Sequence, residues 1–144
     1  MRKRIIEVPL RLIELEKNNY HIMLEVTFED GTSGMWIVDT GASKTVADSA
    51  IEKYVVKMDS ELTSIESMGI GNTKIESKAG VIPSLFLGTT CICDTHVVII
   101  DLSAVNEQYQ KFTNQTISGL VGSDFLVAHK AVIDYKKLKI NLFV

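Results

Sequence analysis

The residues best suited to chemistry lie in one short run of the chain, Trp36 to Ser43 (WIVDTGAS). An apolar stretch ends directly at Asp39, and a carboxylate at the exit of a buried strand is costly unless hydrogen bonds or a second group hold it. Thr40, Gly41 and Ser43 offer hydroxyls and backbone N–H groups that could hold it in a tight turn. Asp-Thr-Gly also suits a plain Asx turn, so these residues alone leave a catalytic and a structural interpretation open.

A second run, Ile117 to Leu126 (ISGLVGSDFL), places the apolar pair Leu120 and Val121 immediately before Gly122. A glycine at this point allows the backbone to pass close to another loop, and we expect that loop to be the one bearing Asp39. The spacing of the two glycines is by itself a weak signal, because it also suits an ordinary turn at the start of a helix.

Other reactive side chains do not form a recognisable ligand set. The only cysteines, Cys91 and Cys93, are two residues apart in an extended segment and share one face, which is too constrained for an ordinary disulfide. The histidines lack ligand spacing, so we expect neither a metal site nor a cofactor. They are His21, His96 and His129. Plain thiols favour a reducing, cytoplasmic setting.

Length and composition indicate a single domain spanning residues 1–144. Of the 144 residues, 46% are hydrophobic and 23% charged, which is enough for a core without metal or disulfide staples. The net charge of −3 gives no basic footprint, so nucleic acid is not an expected partner. The basic start, Met1 to Arg4, lacks the apolar run of a signal peptide, and no segment reaches the roughly 18 apolar residues of a membrane helix. We therefore expect no membrane partner.

Alternation of apolar and polar residues with a period of two dominates the chain and predicts β-strands. It runs through Leu24 to Glu29, and the turn residues Glu29 to Thr32 predict a hairpin into Met35 to Val38. Further stretches with the same pattern are Ile13 to Leu15 and Leu138 to Leu142.

Helical signals are few and short. The candidates are Asp48 to Tyr54 with Asp48 as N-cap, Ser103 to Phe112, and Ser123 to His129. Opposite charges four residues apart, Glu107 and Lys111, support the second of them. The residues alone therefore indicate an all-β fold with short helices, either a barrel or a sandwich.

Taken together, the two runs resemble the signature of the retropepsin-like aspartic proteases, especially the bacterial single-domain relatives of the retroviral enzymes. Asp39-Thr40-Gly41-Ala42-Ser43 is similar to the catalytic loop, and Leu120-Val121-Gly122 is similar to the hydrophobic-hydrophobic-Gly motif that lies beneath it. In the family a short helix follows, which Ser123 to Ala128 would supply. The resemblance covers most of the chain and implies a closed acid-protease (retropepsin-like) β-barrel with one to three short helices.

The resemblance also implies a flap over the substrate cleft. Met68, Gly69, Ile70 and Gly71 stand where the family places a glycine-containing hairpin, and with Ala42 they are expected to contact substrate. Gly69-x-Gly71 could instead be a simple turn. A phosphate-binding loop is not indicated, because no helix pattern follows it.

The activity that the resemblance implies is hydrolysis of peptide bonds, with Asp39, Thr40 and Gly41 as the catalytic residues. Aspartic protease chemistry requires two carboxylates that share a proton and a water. Because the chain contains one Asp-Thr-Gly, the second carboxylate is expected from an identical partner across a two-fold axis. Arg4 to Val8 and Ile140 to Val144 are candidates for the dimer interface, since chain termini often build it in the family.

Two alternatives remain open at this stage. One is a retropepsin-fold dimer that binds a peptide or a protein without cutting it. The other is an unrelated small β-barrel in which Asp39 is only a turn residue. In addition, Ser103 to Thr116 is longer than the compact viral enzymes suggest, and its placement does not follow from the resemblance.

Overall fold

The computed structural model describes residues 3–58 and 78–144. The expected flap residues Met68, Gly69, Ile70 and Gly71 lie outside these ranges. Within them, no helix is long and apolar enough to cross a membrane.

Strands make up most of the described chain, and three short helices accompany them. The strands are β1 (Ile5–Pro9), β2 (Arg11–Glu16), β3 (Asn19–Thr27), β4 (Ser33–Val38), β5 (Val46–Asp48), β6 (Val56–Lys57), β7 (Lys78–Leu87), β8 (Thr90–Ile100), β9 (Ile117–Val121), β10 (Val132–Asp134) and β11 (Lys139–Phe143). The helices are a 3-10 helix at Ser49–Tyr54, α1 at Ser103–Gln110 and α2 at Ser123–Ala128. The mainly β class and the short helices predicted from the sequence are confirmed.

The strands form two hydrogen-bonded sheets. One has eight strands in the order β2-β3-β4-β9-β5-β8-β7-β6, and the other has three in the order β1-β11-β10. These pairings do not establish the closed barrel that the resemblance implies, because β3 and β7 meet at the single pair Thr27 and Phe86. The architecture established here is therefore the coarser one, a mainly β fold with few short helices.

The predicted hairpin between β3 and β4 forms, and it is secured at its turn. Gly31 adopts the left-handed conformation (φ 86°) that the turn requires. Asp30 accepts a hydrogen bond from the backbone N–H of Thr32 (2.9 Å) and another from the hydroxyl of Tyr54 (2.6 Å). The Tyr54 hydroxyl, with Thr32, lowers the pKa of Asp30 to about 2. Tyr54 also stacks on Phe28 with ring centroids 3.9 Å apart, so the 3-10 helix holds the hairpin that leads to Asp39.

Some local predictions are wrong in detail. Asp48 occupies the N-cap position of the 3-10 helix as predicted, but its side chain makes no capping hydrogen bond there. Its carboxylate instead accepts the backbone N–H of Leu102 (2.9 Å) and thereby ties the end of β5 to the start of α1. Among the described residues, Glu107 and Lys111 form no ion pair. Leu138 lies in a turn with positive φ (50°), and the last strand begins one residue later.

Cys91 and Cys93 lie on the same face of β8, as the strand geometry predicts. Both are exposed free thiols, and their sulfur atoms are 4.0 Å apart.

The interior consists of two apolar clusters that share strand β4. Trp36 and Val38 belong to the larger cluster, whereas Met35 and Ile37 point the other way into a smaller one. The other members of the smaller cluster are Met23, Val46, Leu102, Tyr109 and Ile117. Because β4 is buried on both faces, the strand that ends at Asp39 has little freedom to move.

A close contact at the centre of the large sheet fixes β4 against its parallel neighbour β9. Trp36 is paired with Gly119, and a Cβ atom at position 119 would overlap the six-membered ring of Trp36. The absence of a side chain at position 119 is therefore what lets the indole, which is 1% exposed, lie flat on the neighbouring backbone.

Replacing Gly119 with Ala should lower the free energy of unfolding by about 1–3 kcal/mol, because the added methyl group forces Trp36 out of its position. Denaturant titration followed by Trp36 fluorescence measures this change. Ser33→Ala, at the exposed start of β4, is the control and should stay within about 0.5 kcal/mol of the parent. A Gly119→Ala protein as stable as this control would contradict the packing argument.

Candidate active site

Asp39 lies immediately after β4, in a turn that its own carboxylate helps to form. Its backbone N–H donates to the carbonyl of Val121 (2.9 Å), which continues the pairing of β4 with β9. Its side-chain oxygen Oδ1 accepts the backbone N–H of Gly41 (3.0 Å), and its carbonyl accepts the N–H of Ala42 (3.2 Å). Asp39 is half-buried and Thr40 is exposed. The turn therefore holds one carboxylate in a fixed orientation at an accessible position.

The backbone at Gly122 lies directly against this turn. A Cβ atom at position 122 would lie 2.6 Å from the carbonyl carbon and oxygen of Lys44 and 2.9 Å from the carbonyl oxygen of Ala42. The next residue, Ser123, donates its N–H to that same Ala42 oxygen (2.7 Å). The close approach expected from the sequence is thus present, and a side chain at position 122 would push the Asp39 turn away.

Thr45 and Asp124 connect the Asp39 turn to Gly122 and the start of α2 through hydrogen bonds. Neither residue was predicted from the sequence. The hydroxyl of Thr45 accepts the N–H of Gly122 (3.1 Å) and donates to Oδ1 of Asp124 (2.7 Å). The other oxygen of Asp124 accepts the backbone N–H of Thr45 (3.2 Å). Asp124 is therefore a structural carboxylate at the start of α2. A signal was available, because it follows Gly122 by two residues in the first turn of a predicted helix.

A cleft of about 410 Å³ opens beside Asp39. Of the residues expected at the site, Asp39, Thr40 and Leu120 line it. Val121 faces the larger apolar cluster, and Ala42, expected to contact substrate, lies at the base of the turn with its carbonyl bonded to Ser123. The remaining walls are apolar or aromatic: Tyr20, His21, Ile22, Ile37, Val38, Val105, Tyr109 and Tyr135.

His21 and Tyr109 form a hydrogen-bonded pair in the wall of this cleft. The Tyr109 hydroxyl lies 2.5 Å from Nδ1 of His21, and the two rings meet edge to face. Tyr109 is 3% exposed. Burial, followed by the nearby charge of Asp39, raises the pKa of Tyr109 to about 12, so its phenol stays protonated at neutral pH.

The sequence contains a signal for His21 but not for Tyr109. Strands β3 and β4 pair with Met23 opposite Ile37, and continuing this register by two residues places His21 opposite Asp39. Directly opposite residues of an antiparallel pair share a face at close range. Tyr109, by contrast, belongs to α1, and no residue pattern indicates where that helix packs.

The chemistry of the site is that of a carboxylate in a largely apolar cleft. In the described ranges 3–58 and 78–144, no group of three histidine, cysteine or acidic side chains is close enough to hold a metal ion. A tight turn holds the carboxylate of Asp39, and the backbone at Gly122 packs against that turn. The cleft opens beside the carboxylate. This arrangement is the one that the resemblance to acid-protease folds implies.

The comparison with known families agrees with this class. Residues 24–125, which are more than half of the chain, match the model of a family described as aspartyl protease. The chain belongs to this family, and the retropepsin-like resemblance of its motifs is confirmed. No protein of curated function matches the chain in sequence.

The chain is also similar in fold to solved structures, including the following two. A retropepsin-like aspartic protease from Rickettsia conorii superposes with a TM-score of 0.54 at 15% identity, over 100% of this chain and 97% of that one. The retroviral protease-like domain of Ddi1 from Leishmania major gives a TM-score of 0.50 at 16% identity, over 85% of this chain and 92% of that one. At such identities the likeness establishes a retropepsin-like fold and leaves activity to be argued from the site.

Replacing Thr45 with Val should lower the free energy of unfolding by about 1–3 kcal/mol, because the buried Gly122 N–H and the Asp124 carboxylate each lose a partner. Urea titration measures the loss. Thr45→Ser, which keeps the hydroxyl, is the matched control. The role assigned to this hydroxyl is contradicted if the two variants unfold at the same urea concentration.

Proposed function

We propose that the protein is an aspartic endopeptidase that acts as a homodimer, with Asp39 of each protomer forming the catalytic pair. The observation that carries this proposal is the Asp39 turn itself. It orients a carboxylate at the edge of an apolar cleft, in a chain that belongs to the aspartyl protease family. Residues 1–144 would then form one domain and one half of the enzyme.

The number of carboxylates supports the dimer. Among the described residues that line the cleft, Asp39 is the one acidic side chain. A single carboxylate can act as a base or as an acid, but this hydrolysis needs both at once. Asp124, the acidic residue nearest in the supporting network, is occupied by Thr45 and by the start of α2. A two-fold axis beside Asp39 supplies the missing group without any further residue.

The chemistry follows from two like charges at short range. Two adjacent carboxylates cannot both be ionised, so one holds a proton and the other does not. The ionised Asp39 takes a proton from a water molecule while the oxygen of that water attacks the peptide carbonyl carbon. The protonated Asp39 donates to the carbonyl oxygen, which gives a tetrahedral intermediate. The C–N bond then breaks as a proton passes to the leaving nitrogen, and no cofactor takes part.

The terminal strands favour one side of the proposed interface. β11 is flanked by β1 and β10, and its residues Ile140 and Leu142 are fully buried. Ile140 to Val144 are thus engaged within their own chain. In β1, Ile5 is 67% exposed, and the strand pairs on one edge only among the described residues. We therefore place the contact of the termini at β1 and not at β11.

Substrate would lie along the cleft beside Asp39, with Thr40 and Leu120 against it. Its largely apolar lining suits apolar side chains of a peptide or an unfolded protein segment. Met68, Gly69, Ile70, Gly71 and Ala42 remain proposed substrate contacts, by resemblance to the flap and loop of the family. Gly41 contributes through its backbone N–H, which holds Asp39.

Replacing Asp39 with Asn should reduce cleavage of a diverse peptide library to background, because the amide can neither accept nor carry the shuttled proton. The dimer should persist, as measured by sedimentation. Asp94→Asn makes the same chemical change at an exposed position outside the cleft and serves as the control. Cleavage by clean Asp39→Asn protein would overturn the mechanism. A parent protein that binds peptides but never cuts them would instead support the alternative, a binding module.

The shared site makes a further prediction for mixed protein. When parent and Asp39→Asn chains are mixed in equal amounts and allowed to exchange, activity should fall to about a quarter of that of the same total amount of parent, because only parent–parent dimers carry both carboxylates. A site complete within one chain would retain about half. The fraction of activity that remains after mixing therefore distinguishes a shared site from a site within one chain, without a structure of the dimer.

A further inference from the structure

The His21–Tyr109 pair is a polar feature of the cleft that the proposed chemistry does not use. Tyr109 is buried in the smaller apolar cluster, and its hydroxyl has one hydrogen-bond partner in the described ranges, Nδ1 of His21. His21 is half-buried and lines the cleft together with Asp39. The hydrogen bond to His21 offsets the cost of burying the Tyr109 hydroxyl, and it leaves the second ring nitrogen of His21 free of Tyr109.

The direction of this hydrogen bond determines which nitrogen of His21 is available to a ligand. A neutral imidazole has one N–H and one lone pair, and its tautomer is set by the partner of the other nitrogen. The Tyr109 hydroxyl has Nδ1 of His21 as its one partner in the described ranges, so its buried proton is satisfied when Tyr109 donates to Nδ1. The remaining proton of His21 then resides on Nε2, which makes Nε2–H a donor.

His21 lies in the same cleft as Asp39. β3 and β4 pair as far as Met23 and Ile37. Alternation along the chain puts His21 and Asp39 on the same face as this pair, the face that carries the smaller cluster. No lysine or arginine lines the described cleft, and apart from Asp39 and Thr40 its other walls are apolar or carry tyrosine hydroxyls. His21 therefore offers a hydrogen-bond donor in the same cleft as the reacting carboxylate.

We propose that His21 is a substrate-binding residue whose Nε2–H donates a hydrogen bond to a carboxamide oxygen of a substrate glutamine or asparagine, and that Tyr109 is the positioning residue that fixes its ring and tautomer. This inference rests on the proposed peptidase function. A neutral amide is favoured over an anionic acceptor because the proposed Asp39 pair keeps one negative charge in the same cleft, which repels an anionic side chain. The His21–Tyr109 pair thus adds a polar preference to a largely apolar cleft.

The first test examines the hydrogen bond without any need for activity. Long-range ¹H–¹⁵N spectra of the full chain report the tautomer of each of its three histidines, and loss of one set of signals in a His21→Gln variant assigns His21. We expect the Nε2–H tautomer in the parent and a mixture of tautomers in Tyr109→Phe, which keeps the packed ring. An Nδ1–H tautomer in the parent, or an unchanged spectrum in Tyr109→Phe, overturns the positioning role.

The second test measures substrate preference with peptide pairs that differ only by Gln or Met, two side chains of similar size. At one position near the scissile bond, the parent should prefer Gln by about tenfold in kcat/KM, since a buried donor left without an acceptor costs about 1.4 kcal/mol. His21→Leu should bring this ratio close to one, and His21→Gln, which restores a donor, should recover part of it. In Tyr109→Phe the loss should appear in KM more than in kcat. His96→Leu, an exposed site outside the cleft, is the control.

The same peptide pairs distinguish failure of this inference from failure of the proposed function. Where the protein cleaves, the ratio is taken from kcat/KM; where it only binds, it is taken from the two dissociation constants. A parent that binds Gln peptides more tightly and cuts neither peptide supports the subsite and overturns the peptidase. Equal values for Gln and Met at every position, or a stronger preference for Glu than for Gln, overturn the subsite whatever the catalytic result.

Discussion

The candidate active site depends on one close approach between two distant parts of the chain. The Asp39 turn lies on the backbone of Gly122, and Thr45 and Asp124 connect the two across separations of 77 and 79 residues. Because every partner in this contact is a backbone group, a hydroxyl or a carboxylate, it is directional as well as tight. The turn is thereby shaped before any substrate arrives, and preorganised polar groups are the kind that contribute most to catalysis.

Burial of β4 on both faces explains why the site needs α1. One face of the strand enters the main core, and the other would be exposed to water without a second layer. Leu102 and Tyr109 provide that layer, and Asp48 ties the start of α1 to the end of β5. The same packing brings the Tyr109 hydroxyl to His21. A helix that covers a strand for reasons of stability thus also forms the wall of the cleft.

The sequence predicted the parts of the fold whose determinants are local. Period-two alternation and a turn glycine are sufficient to predict the β3–β4 hairpin, and a short apolar run ending at Asp39 is sufficient to locate the turn. The close approach at Gly122 was also predictable, because only a residue without a Cβ fits there. Thr45, Asp124 and Tyr109 were missed, since their partners lie far along the chain and depend on the packing of α1 and α2. The position of Asp48 at the N-cap was predicted correctly, but the partner of its carboxylate, Leu102, was not, because it is remote in the chain.

The two-fold axis of the proposed dimer would have a consequence for substrate selectivity. In the proposed dimer each wall of the cleft occurs twice, once on either side of the scissile bond, whereas a peptide has a direction and no such symmetry. The two copies of the His21–Tyr109 pair therefore meet different substrate residues, and a peptide with one suitable acceptor can satisfy only one of them. The unused donor can still bind water, provided that its side of the cleft stays open. In such an enzyme, substrate selectivity depends on which half of the peptide best fills the apolar wall. The His21–Tyr109 pair then determines the register of the peptide along the cleft.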